Sequence, residues 1–372
     1  MSQVQKGLDG VIADTTSISL VDGEAGRLYY RGYAVESLVQ HPFAAVANLI
    51  LFGELPNARR LADVEEFLWH AGRLPPDTAQ ALRELARQGA HPMATLQAIL
   101  PLLGFEPPDL RLAESGELHD GLVIAARVPA AIASVLAALE DHPDHPYPAS
   151  RRYGERFLAL LHGRTPSPQE VEAFECMQIL QLDHGFNAST FTARVVTSTL
   201  APISSALSAA MGALYGPLHG AADQGALEMA LEVGRADAAD QFVEECLRNG
   251  RRVLGMGHRE YRVVDPRAKI MKAMARKIAT RREHQQIFET LSAVEAAFVE
   301  RTALKRRALR ANMEFYKGVV FLALGIPKEL FTATFAASRV FGWVAHTIEQ
   351  RQDNRIIRPA ALYVGPRPRD NQ

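Results

Sequence analysis

Along most of this chain apolar residues recur every three or four positions, the spacing of one buried helical face, and strict alternation is confined to its start. There Thr16, Ile18 and Leu20 alternate with Ser17 and Ser19, and Asp22-Gly23 turns the chain towards Leu28, Tyr29 and Tyr30, which predicts one small hairpin. At Ser167-Pro168-Gln169-Glu170 a capping serine, a first-turn proline and a glutamate three residues on predict a helix running through Phe174 and Ile179. Phe242, Val243, Cys246 and Leu247 form an apolar face that Gly250 ends. Pro327 opens another helix, expected to pass Phe331, Phe335 and Trp343 and to reach about Gln350. Within it Arg339 stands among Phe335, Val340, Phe341 and Trp343. A buried guanidinium is costly unless paired, so either its stem snorkels to the surface or its charge meets a carboxylate in a cleft. Pro107-Pro108 and the stretch from Asp141 to Pro148 read as loops, and no repeat or shift in composition marks a domain boundary. The pattern predicts an all-α fold with a small N-terminal β-hairpin.

At 372 residues, 48% of them hydrophobic, the chain has enough material for a large core or two domains. A net charge of −1 gives no reason to expect nucleic acid or an anionic membrane as partner, so charge has to act locally. The run from Arg251 to Arg282 is strongly basic, with Glu260 and Asp265 its only acids, which suits phosphate or carboxylate ligands. Arg276, Lys277, Arg281 and Arg282 in that run read as a solvated helical face. Cys176 and Cys246 have no paired spacing, so neither a disulfide framework nor a zinc knuckle is legible, and a reducing cytoplasm fits best. The N-terminus lacks the apolar core of a signal peptide, and Arg127 and Pro129 interrupt the apolar stretch from Gly121 to Leu139, so no membrane span is expected.

The chemistry concentrates in Gly255-Met256-Gly257-His258-Arg259-Glu260-Tyr261-Arg262-Val263-Val264-Asp265-Pro266-Arg267. Gly255 and Gly257 permit close backbone approach, and Asp265-Pro266 predicts a chain reversal that returns Arg267 towards His258. A neutral imidazole polarises a carbonyl and a guanidinium fork holds a carboxylate, so the spacing suggests a keto acid, against the alternative of an ordinary basic surface loop. His184 and His219 share the glycine-edged setting of His258, in Asp183-His184-Gly185 and Leu218-His219-Gly220. A metal reading is disfavoured because these three are 35 and 39 residues apart and no His-Glu-x-x-His segment exists. Glu314, in Asn312-Met313-Glu314-Phe315-Tyr316, has two readings. It is a general base whose pKa apolar surroundings would raise above the usual 4.3 or so, or a surface glutamate favoured by a helix start.

Taken together these segments resemble the citrate synthase family. The resemblance runs nearly end to end: Gly7-Leu8-Asp9-Gly10-Val11, the segment from Val21 to Tyr33, His91-Pro92-Met93, Asn187-Ala188-Ser189-Thr190-Phe191, Gly216-Pro217-Leu218-His219-Gly220, the glycine–histidine–arginine segment above, and Asn354-Arg355-Ile356-Ile357-Arg358-Pro359. It implies a homodimer of almost wholly helical, two-domain subunits. Residues 1–219 and 326–372 would form a large dimerising domain, and residues 220–325 a small domain that closes over the substrates. The implied reaction condenses acetyl-CoA, the co-substrate, with oxaloacetate and water, with no permanently bound cofactor and no metal. By the same resemblance His184, His258, Arg267 and Arg339 would grip oxaloacetate, joined by Arg358 of the partner subunit. His219 would stabilise the enol of acetyl-CoA, His258 would polarise the ketone, Glu314 would remove the methyl proton and Arg262 would meet the CoA phosphates. Arg259 is left without a role.

Three places depart from the family pattern. Glu314 stands where the family has aspartate, Ala221-Ala222-Asp223 where it usually has Gly-Ala-Asn, and Gln181 where many relatives carry a second histidine before His184. An extra methylene moves a carboxylate by about an ångström, and a misplacement of that size costs on the order of a hundredfold in rate unless the backbone is set back. Two rivals therefore stand beside citrate synthesis. One is 2-methylcitrate synthesis from propionyl-CoA, which differs by one methylene worth about 1–3 kcal/mol in the acyl pocket. The other is a ligand-binding paralogue of weak activity.

Overall fold

The computed structural model describes residues 4–220, 222–303 and 309–366. Its only sheet among these residues is an antiparallel meander of β1 (Ser19–Asp22), β2 (Arg27–Tyr30) and β3 (Tyr33–Ala34), with Ser19 paired to Tyr30 and Asp22 to Arg27. The predicted hairpin is present, but it starts at Ser19 and gains a third strand that alternation alone did not reveal. The earlier residues are diverted: Ser17 gives both its backbone N–H and its hydroxyl to the Glu349 carboxylate.

Helices make up the rest of the regular structure. A first group comprises α1 (Val35–Leu38), α2 (Phe43–Phe52), α3 (Ala58–Ala71), α4 (Pro76–Arg87) and α5 (Pro92–Ile99). Then come α6 (Gly116–Leu139), α7 (Tyr153–His162), α8 (Pro168–Leu180), α9 (Ala188–Ser198) and α10 (Ile203–Tyr215). The chain continues through α11 (Ala222–Val233), α12 (Ala239–Arg248), α13 (Pro266–Ile278), α14 (Arg282–Arg301), α15 (Glu314–Ala323) and α16 (Phe331–Gln352). The capping box at Ser167 and Glu170 forms as predicted and starts α8. On α12 Val243 and Cys246 are buried, Phe242 half-buried, and Gly250 follows at φ 67°. A single 3-10 turn after Pro327 leads into α16.

α6 and α16 form the spine. Gly121 of α6 lets Ile203 and Val344 approach so closely that an added Cβ would lie within 3 Å of each. By length and composition α6 is apolar enough to cross a membrane, yet 89% of its most apolar window is buried against other helices. Arg127 does not interrupt it. The guanidinium turns inward and donates to the carbonyls of Ala71, Leu103, Phe105 and Glu106, so the buried charge is solvated by main-chain oxygens. Beside this pair Phe43 stacks on Tyr153 and Phe157 on Phe174, at 4.0 and 4.6 Å between ring centroids. Cys176 and Cys246 are both buried and free.

Candidate active site

A short backbone pairing builds the site. Gly255 and Gly257 adopt φ of 78° and 91°, the left-handed region glycine enters without strain, and an added Cβ at Gly255 would strike Phe315 at 2.7 Å. With those angles Met256 bridges antiparallel to Ala311, Asn312 N–H donates to Gly255 O at 2.9 Å, and Gly257 N–H donates to Arg310 O at 2.7 Å. Asn312 then ties both strands: its amide donates to Gly257 O at 3.0 Å while its carbonyl accepts Glu314 N–H at 3.1 Å. This brings His258 and the first residue of α15, Glu314, to one place. The β1–β2 turn seals the loop from outside, since an added Cβ on Gly23 would lie 2.3 Å from Glu260 O, and Arg262 N–H donates to Gly23 O at 2.8 Å.

Two backbone N–H groups, of Glu260 and Tyr261, donate to His258 Nδ1 at 3.0 and 3.3 Å. A nitrogen that accepts carries no proton, so a neutral ring holds its proton on Nε2. Nε2 lies 3.3 Å from Arg267 Nη2. Two donors converge there, which is how a keto acid's oxygens would be received. The Asp265-Pro266 reversal is the start of α13: Asp265 caps it through Arg267 N–H and also accepts from Arg267 Nε and Nη2 at 3.0 and 2.9 Å and from Met313 N–H at 3.2 Å. Burial alone would lower the Arg267 pKa, but Asp265, with Tyr261 and Glu314, together more than offset it, so the guanidinium is firmly charged. Replacing Asp265 with Asn removes a buried counter-charge while leaving Arg267 in place. Breaking a buried pair from one side costs about 3–5 kcal/mol, so a clear fall in the thermal unfolding midpoint is expected; an unchanged midpoint would refute this role.

His184 joins the same cluster. Its Nε2 lies 3.2 Å from Tyr261 Oη and its ring centroid 5.2 Å from that of His258. Desolvation, then the nearby Arg267, hold its pKa well below the ordinary histidine value, so it is neutral. The loop that carries it is fixed through Asp183, which accepts from Ser19 of β1, pairs with His346 of α16 at 3.1 Å and accepts Gly185 N–H at 3.0 Å. Arg339 is 2% exposed and does not snorkel. Its Nε donates to Gln181 O at 2.7 Å, and among the described residues no carboxylate lies at ion-pair distance from its guanidinium.

His219, in the turn after α10, has Nε2 2.8 Å from Ser189 Oγ. That hydroxyl accepts from Trp343 Nε1 at 3.2 Å and has two acceptors within reach of its single proton: Asn187 Oδ1, to which it donates at 2.8 Å, and His219 Nε2. When that proton turns to His219 Nε2, Nδ1 keeps the ring proton and is a donor. Desolvation and then Arg339 push the His219 pKa down to about 4, so the ring is neutral at physiological pH.

Glu314 corrects one expectation. Its pKa was expected to be raised; burial does push it up, but Lys317, Arg267 and His258 outweigh burial and the carboxyl sits below its ordinary value. It is half-buried at the first position of α15, so the surface reading fails while the helix-start part of it holds.

The remaining candidates lie apart. Arg262 is exposed, with Nε 3.7 Å from Glu24. Arg259 reaches back to Gly7 O and Asp9 at 3.3 and 3.4 Å, tying the loop to the N-terminal segment. Arg358 is exposed in the tail after α16, where its neighbours Asn354 and Ile357 are pinned to Ser198. Tyr261, Asp183, Ser189, Asn312 and Lys317 were not singled out from sequence. Asn312 and Lys317 flank Glu314, and a lysine leading into the apolar run from Gly318 was the available signal.

A family model described as citrate synthase, C-terminal domain, matches residues 7–360. The chain is 35% identical over 368 residues to citrate synthase 2 of Bacillus subtilis, covering 97% of this chain and 96% of that one. It is 37% identical over 376 residues to a 2-methylcitrate synthase of Shewanella oneidensis, covering 98% and 95%. Among solved structures it is similar to the ternary complex of citrate synthase from Thermoplasma acidophilum with carboxymethyl coenzyme A and oxaloacetate, with a TM-score of 0.92, 30% identity and coverage of 100% and 98%.

Proposed function

The chain belongs to the citrate synthase family, and from that premise we propose that it condenses acetyl-CoA with oxaloacetate and water to give citrate and CoA. The observation that carries the reading is the buried Arg339, which has no protein carboxylate at ion-pair distance among the described residues and lies within electrostatic reach of Arg267 and of His184, itself beside His258. Such a set is complementary to a small dianionic keto acid. In this reading Arg267 and Arg339, with Arg358 of the partner subunit, hold the two carboxylates, and His184 orients the substrate.

Glu314 then takes a methyl proton from the thioester while His219 Nδ1–H stabilises the oxygen of the resulting enolate. The enolate carbon attacks the oxaloacetate ketone, whose oxygen receives the proton of His258 Nε2. Water finally cleaves the citryl thioester and releases the CoA thiol. Arg262 meets CoA phosphates at the exposed rim. Residues 220–325 act as the small domain that closes over the substrates, residues 1–219 and 326–372 as the large domain of a homodimer, and closure excludes water until the carbon–carbon bond is made. The buried, unpaired thiols support a cytoplasmic setting, with burial pushing the Cys176 pKa up to about 12.

Thiol release with oxaloacetate and either acetyl-CoA or propionyl-CoA tests this. Faster turnover with acetyl-CoA is expected; faster turnover with propionyl-CoA makes the chain a 2-methylcitrate synthase, and none with either thioester would overturn the enzyme reading.

A further inference from the structure

One helical turn beyond Glu314, Lys317 is wholly buried. Its Nζ lies 3.1 Å from Asp223 Oδ2, donates to Gln181 Oε1 at 3.4 Å and sits 4.4 Å from the centre of the Phe335 ring. Asp223 and Gln181 are themselves buried, at 0% and 1% exposure. An ammonium removed from water needs a counter-charge and acceptors, and these come from α11, from the residue after α8 and from a ring face on α16. Two departures from the family pattern, Asp223 and Gln181, are thus partners of a single cation. The third, Glu314, is the carboxylate on whose helix that cation stands. Gln181 also links the cluster to the oxaloacetate side: its main-chain carbonyl holds Arg339, whose guanidinium lies 4.7 Å from the same Phe335 ring.

We propose that Lys317, fixed by Asp223 and Gln181 one helical turn from Glu314, is a positioning residue for proton abstraction, its buried positive charge keeping Glu314 as a carboxylate. This rests on the synthase reading above. The charged and titratable groups that face Glu314 are Lys317 on its own helix, Arg267 from α13, His258 from the glycine loop, His219 from the turn after α10, Asp223 from α11 and Arg339 from α16. Of these only Lys317 and Asp223 have no assigned contact with substrate, and they can be neutralised together without leaving a lone buried charge.

The test is the pH profile of kcat/KM for the full-length protein and for Lys317→Gln combined with Asp223→Asn, alongside a carbon-13 NMR titration of the Glu314 carboxyl. Loss of a buried opposite charge one helical turn away is expected to move the acid limb and the Glu314 titration upward by roughly one unit. That is about a tenfold fall in kcat/KM on the limb relative to pH 8, with oxaloacetate affinity retained. Shortening the base by Glu314→Asp should cost on the order of a hundredfold in kcat in the unaltered protein, and distinctly less in the neutralised background. If the double variant does not fold, Asp223→Asn alone keeps the Lys317 charge and should leave the acid limb in place or lower it. An unmoved limb and NMR titration in the double variant, losses from Glu314→Asp that simply add, or an upward shift in Asp223→Asn would each overturn the proposal. Absence of thiol release from the unaltered protein would overturn the synthase reading instead, and the NMR titration would still decide the role of Lys317.

Discussion

Replacing Glu314 with glutamine is expected to lower kcat by roughly 10²–10⁴-fold, the usual range for a positioned general base, with oxaloacetate affinity changed only a few-fold. The amide keeps the shape and a hydrogen-bonding oxygen but cannot take up the proton. The residues proposed to grip oxaloacetate sit on other elements: Arg267 on α13 held by Asp265, Arg339 on α16 held by the Gln181 carbonyl, and His258 fixed by two backbone donors. Thiol-release kinetics and calorimetric titration with oxaloacetate separate the two effects. A loss of less than tenfold would mean that another group removes the proton.

Removing the His219 donor by His219→Ala is expected to cost on the order of 10²–10³-fold in kcat, as for other oxyanion donors, and the loss should be the same from pH 5.5 to 8.5. With its pKa pushed down to about 4 the ring stays neutral over that interval, so protonation of His219 does not shape the profile. The linkage has a definite sign. The folded-state pKa lies below the ordinary value of 6.5, so the unfolded chain takes up the proton first as pH falls. The stability gained by keeping the ring neutral is therefore whole above about 6.5 and drains away between 6.5 and about 4. A rate loss that disappears at either end of the interval would show that His219 acts by proton transfer and not as a fixed donor.

Where the fold depends on local signals, the sequence was a good guide. Proline, capping serine and glutamate mark the start of α8, Gly250 marks the end of α12, and alternation marks β1 and β2. The third strand was hidden because it is two residues long. Arg127 looked like an interruption of an apolar stretch, since four main-chain oxygens that solvate it come from other parts of the chain and leave no local trace. The site divides the same way. Residue types and glycine spacing pointed to His184, His219, His258 and Arg267, whereas the sign of the Glu314 shift depends on Lys317, Arg267 and His258 being brought together by folding. Lys317 was passed over for the same reason: its counter-ion is 94 positions away, and only tertiary packing makes the pair.

α6 has a consequence for how the chain is made. Its partner α16 begins at residue 331, roughly 190 residues after α6 ends. At a ribosomal rate of about 5–20 residues per second, that delay is on the order of 10–40 s. For that interval the nascent chain carries a segment as oily as a membrane anchor, with Arg127 and Pro129 the only marks on it of a helix destined for a protein interior.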